Sequence, residues 1–171
     1  MPILQRMNQN ISTRITMLFA KTRNPFLLLA LVSFLFTGLT GFHTKPITGL
    51  AEDLLAETNG FRHQNNLPEL ELSDELSAIA QKHSENMAGS RVGFGHSGFS
   101  KRSAQARKQL DDVISVAENV AYGPTSASEL MQLWKNSTGH RRNMLGKYKY
   151  VGIGIAKNRR GILYYTMLLA G

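Results

Sequence analysis

Two stretches near the C-terminus, Tyr150-Val-Gly-Ile-Gly-Ile-Ala156 and Ile162-Leu-Tyr-Tyr-Thr-Met-Leu-Leu169, decide the fold. Both are rich in β-branched and aromatic residues, and Lys157-Asn-Arg-Arg-Gly161 between them is turn chemistry, so they read as a β-hairpin. Everything upstream reads differently. Ile47, Leu50, Leu54 and Phe61 recur at helical spacing, with Glu52, Asp53 and Glu57 on other faces. Gln64-Asn-Asn-Leu-Pro68 stops that helix and leads into a short extended piece. Ser73-Asp74-Glu75 is a helix start, an N-cap followed by two acids, and Leu76, Ile79, Ala80, His83 and Met87 make one stripe that Gly89 ends. A glycine-rich loop, Gly93 to Gly98, and a charged segment, Lys101 to Lys108, follow. Val113-Ile-Ser-Val-Ala117 has strand composition, and Ser126-Ala-Ser-Glu129 is a capping box opening a helix through Leu130, Leu133 and Trp134 that Gly139 is placed to close. Helices come first and strands last, with no linker or repeat between them. The expectation is one mixed α and β domain over residues 43–171.

Three sequence features invite catalytic readings. Gly93-Phe-Gly95-His-Ser-Gly98 is a literal G-x-G-x-x-G with Glu118 twenty residues on. A dinucleotide site needs a strand before those glycines and a helix opening from them, whereas a helix precedes them here, so loop geometry is the better account. The same segment misses the hydrolase elbow G-x-S-x-G because Gly98 comes one position too early. The histidines are more informative. His63 at a helix end reads as solvated, and His83 on the apolar stripe reads as a buried, hydrogen-bonded structural residue. His96 sits among glycines, which leave the backbone free to aim an imidazole into a cleft or simply into solvent. His140 follows Gly139 and should lie near the surface beyond a helix. Glu118 is a carboxylate inside an apolar stretch; if buried it needs a partner, and His or Arg are the candidates. Two His and one Glu can make an open zinc site or a hydrogen-bonded polar cluster, and spacing alone does not choose between them.

The ordered set of short segments resembles the CAP superfamily (cysteine-rich secretory proteins, antigen 5, pathogenesis-related 1) in its cysteine-free bacterial form. It runs from Asn59-Gly-Phe-Arg62 and Leu67-Pro-Glu-Leu70 through His83-Ser84, His96-Ser-Gly-Phe99 and Ala117-Glu-Asn-Val-Ala121. Trp134-Lys-Asn-Ser137, Gly139-His-Arg141, Asn143-Met-Leu145, Tyr150-Val-Gly-Ile-Gly154 and Tyr164-Tyr-Thr166 complete it. The resemblance implies a three-layer α-β-α sandwich, an α+β fold with a central antiparallel sheet. It implies a cleft containing His96, Glu118 and His140, with His96 and His140 as ligands for zinc or another divalent cation. Two departures accompany it. The position of a second cleft glutamate holds Ser137, and Met167 stands where bacterial relatives often carry Gln.

Charge and hydropathy set the context. The 171 residues carry 20 Lys plus Arg, 12 Asp plus Glu and no cysteine, a net charge of +8. Without cysteine there is no disulfide scaffold, thiol catalysis or Cys-ligated metal. Arg6, Arg14, Lys21 and Arg23 precede the apolar run Phe26-Leu-Leu-Leu-Ala-Leu-Val-Ser-Phe-Leu-Phe36 and the small residues Thr37-Gly-Leu-Thr-Gly41. That order describes residues 1–42 as a basic leader with a signal peptide or membrane anchor, and either one places the rest outside the cytoplasm. Residues 44–90 carry 3 basic against 8 acidic side chains, and residues 91–171 carry 13 against 4. An exported chain with a basic half that includes Lys101, Arg102, Arg107, Lys108, Arg141, Arg142, Lys147 and Lys149 points away from nucleic acid. Lipid headgroups, an anionic envelope surface or a host ligand are the partners it suggests. Two functions follow: a cleft that binds a metal or small ligand in envelope or extracellular interactions, or a metal-dependent hydrolase with Glu118 as general base.

Overall fold

The computed structural model describes residues 47–171, leaving aside the side chain of residue 48; the leader and anchor expectation for residues 1–42 lies outside the described residues. In chain order the elements are α1 (Ile47–His63), β1 (Glu71–Leu72), α2 (Asp74–Ala88), α3 (Phe99–Gln109), β2 (Val116–Tyr122), α4 (Ala127–Lys135), α5 (Thr138–Met144), β3 (Tyr150–Lys157) and β4 (Leu163–Ala170). One four-stranded sheet runs β1-β3-β4-β2. The hairpin pairs antiparallel from Tyr150↔Ala170 to Lys157↔Leu163, and β2 adds antiparallel to β4 with Glu118 opposite Leu168. The expected antiparallel sheet thus holds for β2, β4 and β3, while two-residue β1 pairs parallel with β3 at its edge. Among the described residues no helix is long and apolar enough to cross a membrane.

The sheet is covered on both faces, as a continuous apolar strand such as Leu163–Ala170 requires. Val151, Ile153, Ile155, Tyr165, Met167 and Leu169 belong to the core beneath α1, α4 and α5. Leu168 and Ala170, on the alternate pleat, join Leu76, Ile79, Ala80 and Ala106 beneath α2 and α3. On that second face α2 lies almost on the strand backbone. A Cβ at Gly152 would sit 2.2 Å from the Leu76 carbonyl carbon, and one at Gly154 would sit 2.2 Å from that of Ala80. The closeness has a hydrogen-bond reason. β1 is two residues long, so beyond Val151 the outer edge of β3 lacks a strand. Helix α2 supplies the acceptors instead: Ile153 N–H donates to Ser77 Oγ (3.3 Å) and Ile155 N–H to Gln81 Oε1 (2.9 Å).

Two side chains from the Asn59–Arg62 segment tie α1 to the rest. The Asn59 amide pairs with Leu70 like a strand residue, donating to its C=O at 3.1 Å and accepting from its N–H at 2.8 Å. Arg62 is fully buried and donates to the carbonyls of Pro68, Met144, Gly146 and Tyr148.

One element adds to those expected, and two boundaries differ from expectation. The charged segment 101–108 is part of a helix, α3, because Ser103 and Ala106 give it one buried small-residue face. The strand expected at 113–117 begins only at Val116; Ser115 just before it still exchanges backbone bonds with Gly171, and Ile114 is 86% exposed. Helix α4 ends at Lys135 with Asn136 as its cap; Ser137 is extended and opens α5, so Gly139 lies inside a helix instead of closing one.

Candidate functional site

The loop that carries His96 is fastened on both sides of that residue. Buried His83 on α2 meets the Gly95 carbonyl through Nε2 at 2.9 Å, and Arg102 on α3 donates from Nη1 to the Ser97 carbonyl at 2.8 Å. A carbonyl only accepts, so His83 Nε2 must carry the proton. Burial lowers the pKa of His83 below the ordinary 6.5 and favours that neutral ring. Gly95 (φ 128°) and Gly98 (φ 77°) take backbone conformations that side-chain-bearing residues avoid, which gives this short path its shape.

Glu118 stands on the second face of β2, toward α3, with its side chain 1% exposed. Arg102 grips it with a two-pronged pair, Nε to Oε2 at 2.7 Å and Nη2 to Oε1 at 2.8 Å. Oε1 also faces His96 Nδ1 at 2.9 Å. A carboxylate accepts, so His96 donates from Nδ1 and keeps Nε2 unbonded on a ring that is 53% exposed. The carboxylate is thus paired and hydrogen-bonded, as a buried charge must be.

His140 is reached from the other face. Because successive strand residues point to opposite sides, Asn119 faces α5 where Glu118 faces α3. The Asn119 amide donates to the His140 carbonyl (3.1 Å), and Asn143 donates to both Asn119 Oδ1 (2.9 Å) and the Glu118 carbonyl (3.2 Å). β2 is an edge strand, so this last bond covers a carbonyl on its open side. His140 therefore lies within α5 and is partly buried, which corrects the expectation of a surface position past a helix. Its Nδ1 is buried without a hydrogen-bond partner among the described residues, as is Nε1 of fully buried Trp134, whose ring centroid lies 6.2 Å away. Burial lowers the His140 pKa, and the charge of His96 lowers it further.

Beside His140 opens a cavity of about 680 Å³, lined by Phe94, Val120, Ala121, Tyr122, Leu133, Asn136, Ser137 and His140. Its rim is aromatic. Phe94 meets Tyr122 edge-on at 4.8 Å, and Tyr122 stacks on Tyr164 at 5.6 Å. Ser137, at the position of the absent second glutamate, lines the cavity, and Met167 is buried in the core below α1.

Of the three candidate residues, the structure joins His96 to Glu118 directly and places His140 across the edge of β2. As a metal-binding set they are short of donors: among the described residues no three His, Asp or Glu side chains converge as a metal site would need. Glu118 faces a guanidinium. The two imidazoles fit a cation better, since a carboxylate behind Nδ1 is the usual way a ligating histidine is oriented, and His96 has one. Arg102, Asn119 and Asn143 are the site residues the sequence reading did not single out. For Arg102 a signal existed, because Glu118 demanded a buried cation.

The profile of the cysteine-rich secretory protein family, CAP, matches residues 55–169. The chain belongs to the CAP family. Its cysteine-free sequence sets it among the bacterial members. The uncharacterized membrane protein YlbC of Bacillus subtilis is 29% identical over 127 residues, covering 71% of this chain and 34% of the relative. Among solved structures, an outer surface protein of Borrelia burgdorferi superposes with a TM-score of 0.65 at 20% identity, covering 74% of this chain and 95% of that one. An extracellular protein of Bacillus anthracis containing an SCP domain gives a TM-score of 0.60 at 25% identity, covering 70% of this chain and 39% of its own. This CAP chain thus spans about a third of the first curated relative it matches.

Proposed function

We propose that this CAP protein acts outside the cytoplasm, exported or tethered to the membrane, and binds a small ligand or a divalent cation in the cleft beside His140. The relatives described as outer-surface, extracellular and membrane proteins support the location. The cavity supports a ligand with an apolar part for Phe94, Tyr122 and Leu133 and polar atoms for Asn136, Ser137 and His140. Envelope lipids, an anionic envelope surface or a host molecule are the partners this reading favours.

The observation that carries binding over catalysis is the state of Glu118. Both its oxygens are taken by Arg102, one also by His96, and its side chain is 1% exposed. A general base needs an oxygen in reach of a substrate or water proton. Here that role requires Arg102 to withdraw first. Glu118 instead orients His96 so that Nε2 faces out, which is the observation favouring a divalent cation such as zinc.

Calorimetric zinc titration of the full chain tests the cation half of the reading, comparing wild type with His96→Ala and His140→Ala. Saturable binding lost in both variants supports a cation in the cleft; equal affinity in all three leaves the cleft to an organic ligand. Soaking or co-purified density in the cavity then decides the second half, and a cavity that stays closed to every organic probe would remove it.

A further inference from the structure

A second, smaller cavity of about 210 Å³ lies between α2 and α3, apart from the cleft cavity, and Lys82, His83, Asn86, Arg102, Gln105 and Gln109 give it its chemistry. No aspartate or glutamate lines it. Two basic side chains and three carboxamides is a donor-rich set, with the remaining wall supplied by Ala78 and Ile79. The charge around it is not symmetric. Helix α3 carries Lys101, Arg102, Arg107 and Lys108 and no acid. Glu118 offsets Arg102, so Lys82 supplies the net positive charge, and Lys82 forms no ion pair with a described carboxylate. Arg102 spends three N–H groups on Glu118 and Ser97, and a guanidinium has five.

We propose that this cavity is a site for a small oxyanion, a phosphate or a compact carboxylate, held by Lys82, the remaining Arg102 N–H groups and the carboxamides of Asn86, Gln105 and Gln109. The placement gives it a consequence for the cleft. His83 and Arg102, which line this cavity, are the same two side chains that hold Gly95 and Ser97 on either side of His96. An anion on those remaining N–H groups shares one guanidinium with Glu118 and the Ser97 carbonyl, so its pull on Arg102 reaches both. Occupancy of the rear cavity therefore alters how His96 is held. The existence of the rear site does not rest on which ligand the front cleft takes, although the two are coupled through His96.

The test is titration of the full chain with inorganic phosphate and, separately, malonate, followed by calorimetry and by histidine ring resonances in the NMR spectrum. Lys82→Gln removes the free charge, Gln105→Glu places a carboxylate in the cavity, and Lys147→Gln makes the same charge change on an exposed residue elsewhere. Saturable binding of either anion is expected, weakened about fivefold by Lys82→Gln and at least tenfold by Gln105→Glu, but less than twofold by Lys147→Gln. The His83 and His96 resonances should move with occupancy while exposed His63 stays. Binding that is absent for both anions, equal in all variants, or accompanied by an equal shift of His63 would overturn the site. Because Lys82 and Gln105 are exposed helix positions, these variants keep the fold.

Discussion

Arg102 and Glu118 are joined by two parallel hydrogen bonds of 2.7 and 2.8 Å, with the carboxylate 1% and the guanidinium side chain 12% exposed. One helix and one edge strand are clamped by this pair, and the His96 loop is hung from it. Removing Arg102 leaves the buried Glu118 carboxylate with His96 as its one remaining side-chain partner among the described residues. Arg102→Met alone should therefore cost about 3–5 kcal/mol in urea denaturation. Arg102→Met combined with Glu118→Leu should recover much of that loss, since a buried pair replaced by apolar groups is close to neutral. A double variant no better than the sum of the singles would show that the two residues act separately.

His83 and His140 give the fold an acid sensitivity. Burial lowers both pKa values below the ordinary 6.5, so the unfolded chain binds the proton more tightly than the folded one. Stability is then complete above that value and falls as the pH drops through and below it, with a ceiling of about 1.4 kcal/mol per pH unit for each group. Denaturation at about pH 7.5 and about pH 5.5 measures the slope. His83→Gln, which keeps an N–H for Gly95, should flatten it; an unchanged slope in that variant would assign the sensitivity elsewhere.

Those two predictions rest on residues of unequal legibility. The helix stripe Leu76 to Met87, the capping serines Ser73 and Ser126, and the hairpin were readable because each depends on a local period or cap. His83 was readable as structural for the same reason. Glu118 was legible as a carboxylate that needs a partner, but its choice of Arg102 was not, because residues 16 positions apart meet only after α3 packs on β2. The end of α4 was misread because Gly139 is a strong stop signal, while the real stop is Asn136 with its N–H turned back to the Gln132 carbonyl. The start of β2 is set by its pairing with the distant segment Leu163–Ala170, which no local pattern carries. The cavities are tertiary objects and left no trace in periodicity.

Ser90 offers a stabilising change. Helix α2 closes with Ser90 N–H on the Met87 carbonyl (3.0 Å) and Arg91 N–H on that of Asn86 (2.8 Å), a pattern that places Ser90 at φ 55°. A side chain there is strained and glycine is not, so Ser90→Gly should stabilise the domain by about 0.5–1 kcal/mol. Ser90 is exposed and forms no side-chain bond among those described, so no lost contact adds to the entropy cost of the glycine, which the relieved strain outweighs. The midpoint of thermal unfolding should rise by a few degrees at unchanged cooperativity, and a fall would mean the backbone at Ser90 is set by something other than the helix end.

Gly154 should tolerate no side chain at all. Its Cβ position lies 2.2 Å from both the Ala80 carbonyl carbon and the Gln81 nitrogen, which are helix backbone and have no rotamer by which to yield. Gly154 also accepts Ser84 Oγ at 2.9 Å on its carbonyl, a bond that holds α2 at this height above the sheet. Moving the helix outward to admit a methyl group would stretch that bond and those of Ser77 and Gln81 to the β3 edge. Gly154→Ala should accordingly cost about 3 kcal/mol or more, above the usual range for overpacking, because backbone must shift. Gly139→Ala, whose Cβ meets nothing within 4 Å inside α5, is the control and should be neutral or stabilising. Comparable losses in the two variants would mean that α2 does not approach β3 this closely, and would remove the account of how the edge of β3 is satisfied.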